Sequence, residues 1–446
     1  MCNEKTIGSF SASNSGAVPR KFKKGGLFMT SRVQPSKRGF ENAHTRGGLA
    51  LVVLVLGVLA TRPAQAVTYN VLYNFMRSTD GGVPNAGVVR DSVGNLYGTT
   101  LEGGDLSCSA PDGCGTVFMW NAKTHTESVL HSFTGPYAGG PGADGAAPYG
   151  GLVLEGGFLY GTTAFGGSSG AGVVFKVSTS GAGYTVLYNF CSQPSCADGG
   201  HPYAGLVRGS LGKFYGTTLG GGAPSGGVAF ELDTTTSPPT ETPLHSFGGY
   251  PKDGASPYAG LVLDAALNLY GTTAFGGAFG DGVAFKFDTT TSTYTLLHTF
   301  RGAADGGNPY TTLLLSAGNL YGMAQLGGTV PCGLQGCGVV FKIFPTETVQ
   351  HSFGGVANDG VYPTFGRLVS DSLGNLYGTT PSGGTSNAGV VFELDTMGVE
   401  TILHPFTGGT GGTPSGALIR DSAGNLYGTT QSGGTSGYGV IFELTP

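Results

Sequence analysis

Helical periodicity is missing from this chain. Beyond residue 67 no window of about 11–18 residues carries an apolar stripe at helical spacing, which excludes a helical solenoid. Charge is scarce, at 11% of 446 residues, and basic charge scarcer still: residues 67–446 hold 12 basic and 25 acidic side chains, a net of −13 before histidines. Nucleic acid and anionic membrane surfaces are therefore poor partners, because backbone phosphates need Lys and Arg. Tryptophan occurs once, at Trp120, where a kelch-type propeller would place one in most blades. No Ser-His-Asp arrangement, nucleophile elbow, Walker loop or dinucleotide fingerprint is present. The Gly-Gly pairs Gly103-Gly104, Gly276-Gly277 and Gly433-Gly434 precede strand-like runs, so they are not phosphate loops.

Glycine, by contrast, is abundant: 84 residues, in a chain that is still 39% apolar. The glycines recur at repeated positions, as turn residues do, and do not form a flexible tract. Tyr-Gly-Thr-Thr starts at Tyr97, Tyr160, Tyr215, Tyr270, Tyr377 and Tyr427, with a degenerate Tyr-Gly-Met-Ala at Tyr321. Successive tyrosines lie 63, 55, 55, 51, 56 and 50 residues apart. Each unit holds four short runs rich in β-branched and aromatic residues, bounded by Gly, Asp, Ser or Pro, as in Ala204–Val207, Asn375–Thr380, Gly389–Leu394 and Glu400–Phe406. Four strands in a repeat of this length predict a β-propeller blade. The last unit stops after its third strand, and an orphan fourth-type strand lies at Tyr69–Phe75. Joining the two predicts an all-β, seven-bladed propeller of four-stranded blades, closed without a free edge.

The first 66 residues differ in kind. A 12-residue apolar run, Leu49–Ala60, follows Lys37, Arg38 and Arg46 and precedes Ala64-Gln65-Ala66. This reads as a secretory signal peptide over 1–66, cleaved after Ala66, with residues 67–446 as one propeller domain. The run is short of the roughly 20 residues a membrane span needs. Met29 is an alternative start, and Ser36–Phe40 resembles a twin-arginine signal with Lys37 in place of one arginine. The expected product is extracellular or periplasmic and monomeric, with no membrane span after cleavage. The cysteines agree: beyond Cys2 they pair locally as Cys108 with Cys114, Cys191 with Cys196, and Cys332 with Cys337, each bracketing a loop insertion. Disulfides are the reading, since no fourth ligand completes a zinc site.

With the first strand innermost, the fourth-to-first and second-to-third loops share one face of the disc, which carries the cysteine inserts and the longest loops. The other face has short hairpin turns such as Asp371–Asn375 and Asp421–Asn425. Binding belongs on the loop-rich face. There, Asp-Gly-x-x-Pro recurs at Asp80, Asp144, Asp198, Asp253, Asp305 and Asp359, with Thr410 in the seventh blade. Each Asp either caps its own turn or joins a ring of carboxylates at the channel mouth able to hold Ca²⁺, the one cofactor considered. Tyrosine follows the proline at Tyr149, Tyr203, Tyr258 and Tyr310, as padding for the inner strands or as a stacking platform for sugar rings. His201 adds asymmetry to that arc. His131, His245, His298, His351 and His404 share one position of the outer strand with Tyr73 and Tyr188, on separate blades, and read as structural.

Taken together, Gly-Asn-Leu-Tyr-Gly-Thr-Thr, Gly-Gly, Gly-Val-Val-Phe-Glu-Leu, Leu-His-Ser-Phe and Asp-Gly-x-x-Pro resemble the Gloeobacter–Verrucomicrobia tandem repeat of exported bacterial proteins, over residues 68–446. The resemblance implies export and a propeller-like repeat, and brings no catalytic residues to transfer. Family members often end in a surface anchor, and this chain ends at Pro446 directly after a strand, so the expectation is free secretion or periplasmic retention. Three functional readings follow: a non-catalytic binding module engaging glycan or a cell-surface partner, a structural or matrix protein, and a glycoside hydrolase or lyase. The last would need two carboxylates in unlike environments, and Glu102, Asp105 and Asp112 form the only irregular acidic cluster.

Overall fold

The computed structural model describes residues 67–446 apart from 138, 139, 141–143, 211, 334, 345 and 446. The expected leader over residues 1–66 and its cleavage point lie outside them. Seven four-stranded antiparallel sheets form the blades of a β-propeller. Blade 1 runs Val89–Arg90, Leu96–Thr100, Thr116–Asn121 and Thr126–Ser132 from axis to rim. Blades 2 to 6 begin with the inner strands Val153–Glu155, Val207–Arg208, Val262–Leu263, Leu314–Ser316 and Val369–Ser370. Blade 7 takes Ile419–Arg420, Leu426–Thr430 and Val440–Thr445 from one end of the chain and Thr68–Asn74 from the other. Thr68 pairs with Thr445 and Asn74 with Val440, so the expected closure is present. Among the described residues the only helical segment is the 3₁₀ turn Pro194–Cys196.

The repeated glycines have two distinct jobs. In Tyr-Gly-Thr-Thr the glycine faces a phenylalanine across the sheet, as Gly161 faces Phe175. A Cβ at Gly98, Gly161, Gly216, Gly271, Gly322, Gly378 or Gly428 would lie only 2.5–2.7 Å from that ring. The ring therefore lies flat over bare backbone, where it meets the outer-strand phenylalanine of the preceding blade edge-on. Seven such pairs, Phe75–Phe118 through Phe406–Phe442, have centroids 4.9–5.4 Å apart. All seven outer-strand members are 0% exposed. Edge-to-face geometry suits the ring quadrupoles and adds about 0.5–1.5 kcal/mol per pair beyond burial.

The second job is at the start of each third strand. Gly115, Gly172, Gly227, Gly282, Gly338, Gly389 and Gly439 have φ of 91–99°, in the region open chiefly to glycine. Each is wedged between a backbone carbonyl of its own second strand and the loop proline of the next blade. That proline is preceded, in every blade, by a non-glycine residue at φ of 51–58°: Val83, Ala147, His201, Ser256, Asn308, Tyr362 and Thr413. Its N–H donates to the previous blade, as Ala147 N to Cys114 O and His201 N to Ala171 O, each within 3.0 Å. Such a backbone is strained for a β-branched residue like Val83, and the inter-blade hydrogen bond offsets that strain.

On the plain face the Asp-x-x-x-Asn turns are self-contained, with glycine before the Asn in three and Leu267 in the fourth. Asp91 accepts from Val93 N and Asn95 N, and from the Tyr97 hydroxyl at 3.0 Å; Asp264, Asp371 and Asp421 repeat the pattern. In these four blades the tyrosine of the repeat is thus tied to its own hairpin.

Replacing Gly172 with Ala is expected to cost about 3 kcal/mol or more, since strain and overlap with fixed backbone add. The same change at Gly157, which also has positive φ but nothing within 4 Å, should cost about 1 kcal/mol. Urea unfolding of the two variants measures the difference, and equal losses would refute the wedge.

Candidate functional site at the axis of the propeller

The loop leading into each blade runs from the rim to the axis, so its two ends lie in different places. The residues after the proline reach the axis. Tyr149, Tyr203, Tyr258 and Tyr310 line an axial cavity of ≈ 240 Å³ together with Asn85, Ser415, Phe365 and Arg367. The four tyrosines form a continuous arc, with centroids 4.6 Å apart for Tyr149–Tyr203, 5.5 Å for Tyr203–Tyr258 and 5.1 Å for Tyr258–Tyr310. Phe365 extends it, 6.2 Å from Tyr310. All five rings are half-buried. None of the four tyrosine hydroxyls has a protein hydrogen-bond partner among the described residues. Burial, with help from Tyr149 and Tyr258, pushes Tyr203 up to about 12, so its hydroxyl stays a donor at any physiological pH. The far side of the mouth is small and polar, where the Asn85 amide donates to Tyr149 O at 3.2 Å.

Phe365 and Arg367 were not legible as site residues from motif matching. Their signal is a length: blade 6 has one residue more between Pro363 and Ser370 than the other blades have between the matching positions. Phe365 adopts φ of 57° and turns to the mouth. Counting back from the strand's end, Arg367 stands where the other blades have Gly87, Gly151, Gly205, Gly260, Thr312 and Ala417. Six small residues at the narrowest ring leave room for one long one. Arg367 also borders a second cavity of ≈ 620 Å³ towards the plain face, which Arg90, Arg208 and Arg420 line as well. It has no carboxylate partner among the described residues; its side chain stays exposed in the channel, and the protein packed around it lowers its pKa.

The aspartates take the rim end of the loops, and none of them lines the axial cavity. A ring of carboxylates at the channel mouth is not formed. Each Asp instead sits at the joint between two blades and meets the outer-strand residue at the shared His/Tyr position. His131 Nε2 lies 2.8 Å from Asp144 Oδ2 and His245 Nε2 lies 2.9 Å from Asp253. The Tyr73 and Tyr188 hydroxyls donate to Asp80 and Asp198 at 3.0 and 2.8 Å. Loop N–H groups supply the rest, as Ser192 N and Gln193 N do for Asp198. Six carboxylates in six separate joints cannot share one Ca²⁺. His201 is likewise spoken for, its Nδ1 lying 2.9 Å from Ala164 O.

A third residue completes each joint, from the outer strand of the next blade, four positions before the His/Tyr position. Around the ring these are Tyr69, Glu127, Tyr184, Glu241, Tyr294, Glu347 and Glu400. Tyrosine stacks on histidine, with centroids 3.6 Å apart for His131–Tyr184, 3.9 Å for His245–Tyr294 and 3.8 Å for His404–Tyr69. Glutamate faces the aspartate. Burial, and then the neighbouring Asp, pushes Glu127 and Glu241 up to about 8. The irregular acids of blade 1 are neutralised differently: Arg77 bonds Glu102 at 2.7 Å and also Asp112, while Asp105 caps Ser107. The three disulfides form as paired in sequence.

The pattern of the Gloeobacter/Verrucomicrobia repeat matches residues 55–197, 194–364 and 329–446. The chain belongs to this repeat family. No curated protein matches it in sequence. Among solved structures, two of the extracellular domain of BT4673 from B. thetaiotaomicron align at TM-scores of 0.52 and 0.53, with 11% and 10% identity over 84% of this chain. The repeat-family chain spans only 39–40% of their length. A fungal alcohol oxidase solved with copper aligns at TM-score 0.50 and 14% identity, over 85% of this chain and 76% of its own. At such identities the likeness is one of fold.

The buried glutamates give stability a pH dependence. Unfolded, Glu127 and Glu241 release their protons near 4.5, whereas folded they hold them to about 8. Their contribution is full below pH 4.5 and declines as pH rises to about 8, by about 1.4 kcal/mol per pH unit for each. A Glu127→Gln/Glu241→Gln double variant should therefore match the wild type in melting temperature at pH 4.5 and exceed it by several degrees at pH 8. Parallel curves across that range would show the glutamates to be ionised in the fold.

Proposed function

We propose that this protein is an exported, non-catalytic binding propeller that takes a glycan at the axial mouth of its loop-rich face. The observation that carries the reading is the arc of Tyr149, Tyr203, Tyr258, Tyr310 and Phe365, contiguous over five of the seven blades and half-buried. Such rings stack on the apolar C–H faces of sugars, and free hydroxyls serve the sugar oxygens. Arg367 below the arc favours sugars carrying a carboxylate, since guanidinium matches that group in a bidentate fork. Export is supported by the leader-like composition of residues 1–66 and by three disulfides, which persist in oxidising compartments.

Titration calorimetry of residues 67–446 against neutral and uronate-containing oligosaccharides tests this. Tyr203→Ala and Tyr258→Ala should each weaken binding about 10-fold or more, as expected for a lost stacking contact worth about 1.5 kcal/mol. Arg367→Gln should remove the preference for the acidic sugars and spare the neutral ones. A protein that folds normally but binds no glycan would leave the rings as packing of the inner strands, the matrix-protein reading.

A further inference from the structure

Six joints carry a loop aspartate, and several leave a buried polar atom unpaired, such as Glu127 Oε1, both Glu241 oxygens and His298 Nε2, but at five of them no three ligand groups converge among the described residues. The joint between blades 5 and 6 differs. There His351 from the outer strand of blade 5, Asp359 from the connecting loop and Glu400 from the outer strand of blade 6 bring one ligand atom each to within 4.8 Å of the others. His351 Nε2 is 3.8 Å from Asp359 Oδ2 and 3.6 Å from Glu400 Oε2, both beyond hydrogen-bond reach. Asp359 is 4% exposed, and the Glu400 side chain is 4% exposed. Yet Asp359 Oδ1, both Glu400 oxygens and His351 Nε2 are all buried without a hydrogen-bond partner. Asp359 receives a single hydrogen bond, from Gly355 N at 3.0 Å, where Asp198 receives four. Four orphaned polar atoms converging on one point are a cost that native interiors avoid unless something fills the gap.

The same joint lacks a fastening that others have. In five blades the first threonine of Tyr-Gly-Thr-Thr donates to the segment leading into the inner strand of the next blade, as Thr162 to Ala204 O at 2.8 Å and Thr217 to Ala259 O at 3.0 Å. Blade 5 has Met323 at that position, which has no proton to donate. The inner strand it faces is the one lengthened at Phe365.

We propose that His351, Asp359 and Glu400 bind a divalent transition-metal ion, Zn²⁺ by preference, that fastens blade 5 to blade 6. One imidazole and two carboxylates are a donor set for Zn²⁺, whereas Ca²⁺ takes oxygen alone. Tetrahedral Zn²⁺ with ligands at about 2.0–2.1 Å sets neighbouring donors about 3.3 Å apart, and His351 Nε2, at 3.8 and 3.6 Å from the two carboxylates, is within a few tenths of an ångström of that spacing. Three protein ligands leave the fourth position to water. Among the described residues no other group of three such ligands converges in this way.

The test uses residues 67–446 without a histidine tag, stripped with chelator, dialysed against Zn²⁺ and assayed for bound metal, with Co²⁺ absorption as a second readout. One equivalent should bind and raise the melting temperature. Glu400→Gln and Asp359→Asn, both isosteric, should each weaken binding at least 10-fold and abolish the metal-dependent rise. Glu127→Gln, at a joint without histidine, should leave one equivalent in place. Absence of stoichiometric metal in the wild type would overturn the proposal, as would an equivalent that survives both substitutions. A Glu400→Gln variant that is more stable than the wild type in Zn²⁺ would overturn it too, in favour of a proton shared between the two carboxyls.

Discussion

Every blade leans on its neighbour through one contact: a phenylalanine laid flat on a glycine, met edge-on by a phenylalanine from the blade before. The contact needs three residues in register, Gly161, Phe175 and Phe133 for example, drawn from two blades. A side chain on the glycine would lift the ring, and a lifted ring would lose its partner. Because each sheet presents one such surface to either side, no blade buries its apolar faces alone. The spacing of the repeat, the wedge of glycine against proline and the strained residue before that proline all serve to bring this contact into place.

Towards the rim the joints become polar, and there they are free to differ. Their chemistry follows a pairing rule. A histidine takes a stacked tyrosine or faces a glutamate, while Tyr73 and Tyr188 each face a glutamate. The variation does not disturb the aromatic layer inside it, which is why the same scaffold can hold a stacked ring pair at one joint and a cluster of unsatisfied ligands at another. Towards the axis, the inner strands approach so closely that glycine or another small residue is needed, and a single added residue in blade 6 is enough to send Phe365 and Arg367 into the channel.

Blade count, strand order, closure and disulfide pairing were legible in the sequence because each is a property of the period and its ends. The arc of tyrosines was legible as well, since the proline before each one marks where the loop meets the axis. The aspartates were misplaced for a physical reason. Asp80 and its counterparts lie only four residues from the proline, a distance that reads as one location in sequence. In an extended loop it carries the chain from joint to mouth. The joints themselves could have been found from the alternation of tyrosine and glutamate from Tyr69 to Glu400, but that pattern becomes meaningful only once the outer strands of adjacent blades are known to touch. Arg367 was not legible because the residue added between Pro363 and Ser370 breaks the register of the repeat just ahead of it.

The pairing of Thr68–Asn74 with Val440–Thr445 also orders events in time. The strand that is made first can dock only after the strand that is made last, so six blades stand ready while blade 7 waits for both. Translation proceeds from one end, and the ring therefore stays open until the last strand has been made. Completion of the circle is in effect a check on completeness: a chain cut short anywhere before its final strand keeps an unpaired edge and never becomes a finished disc.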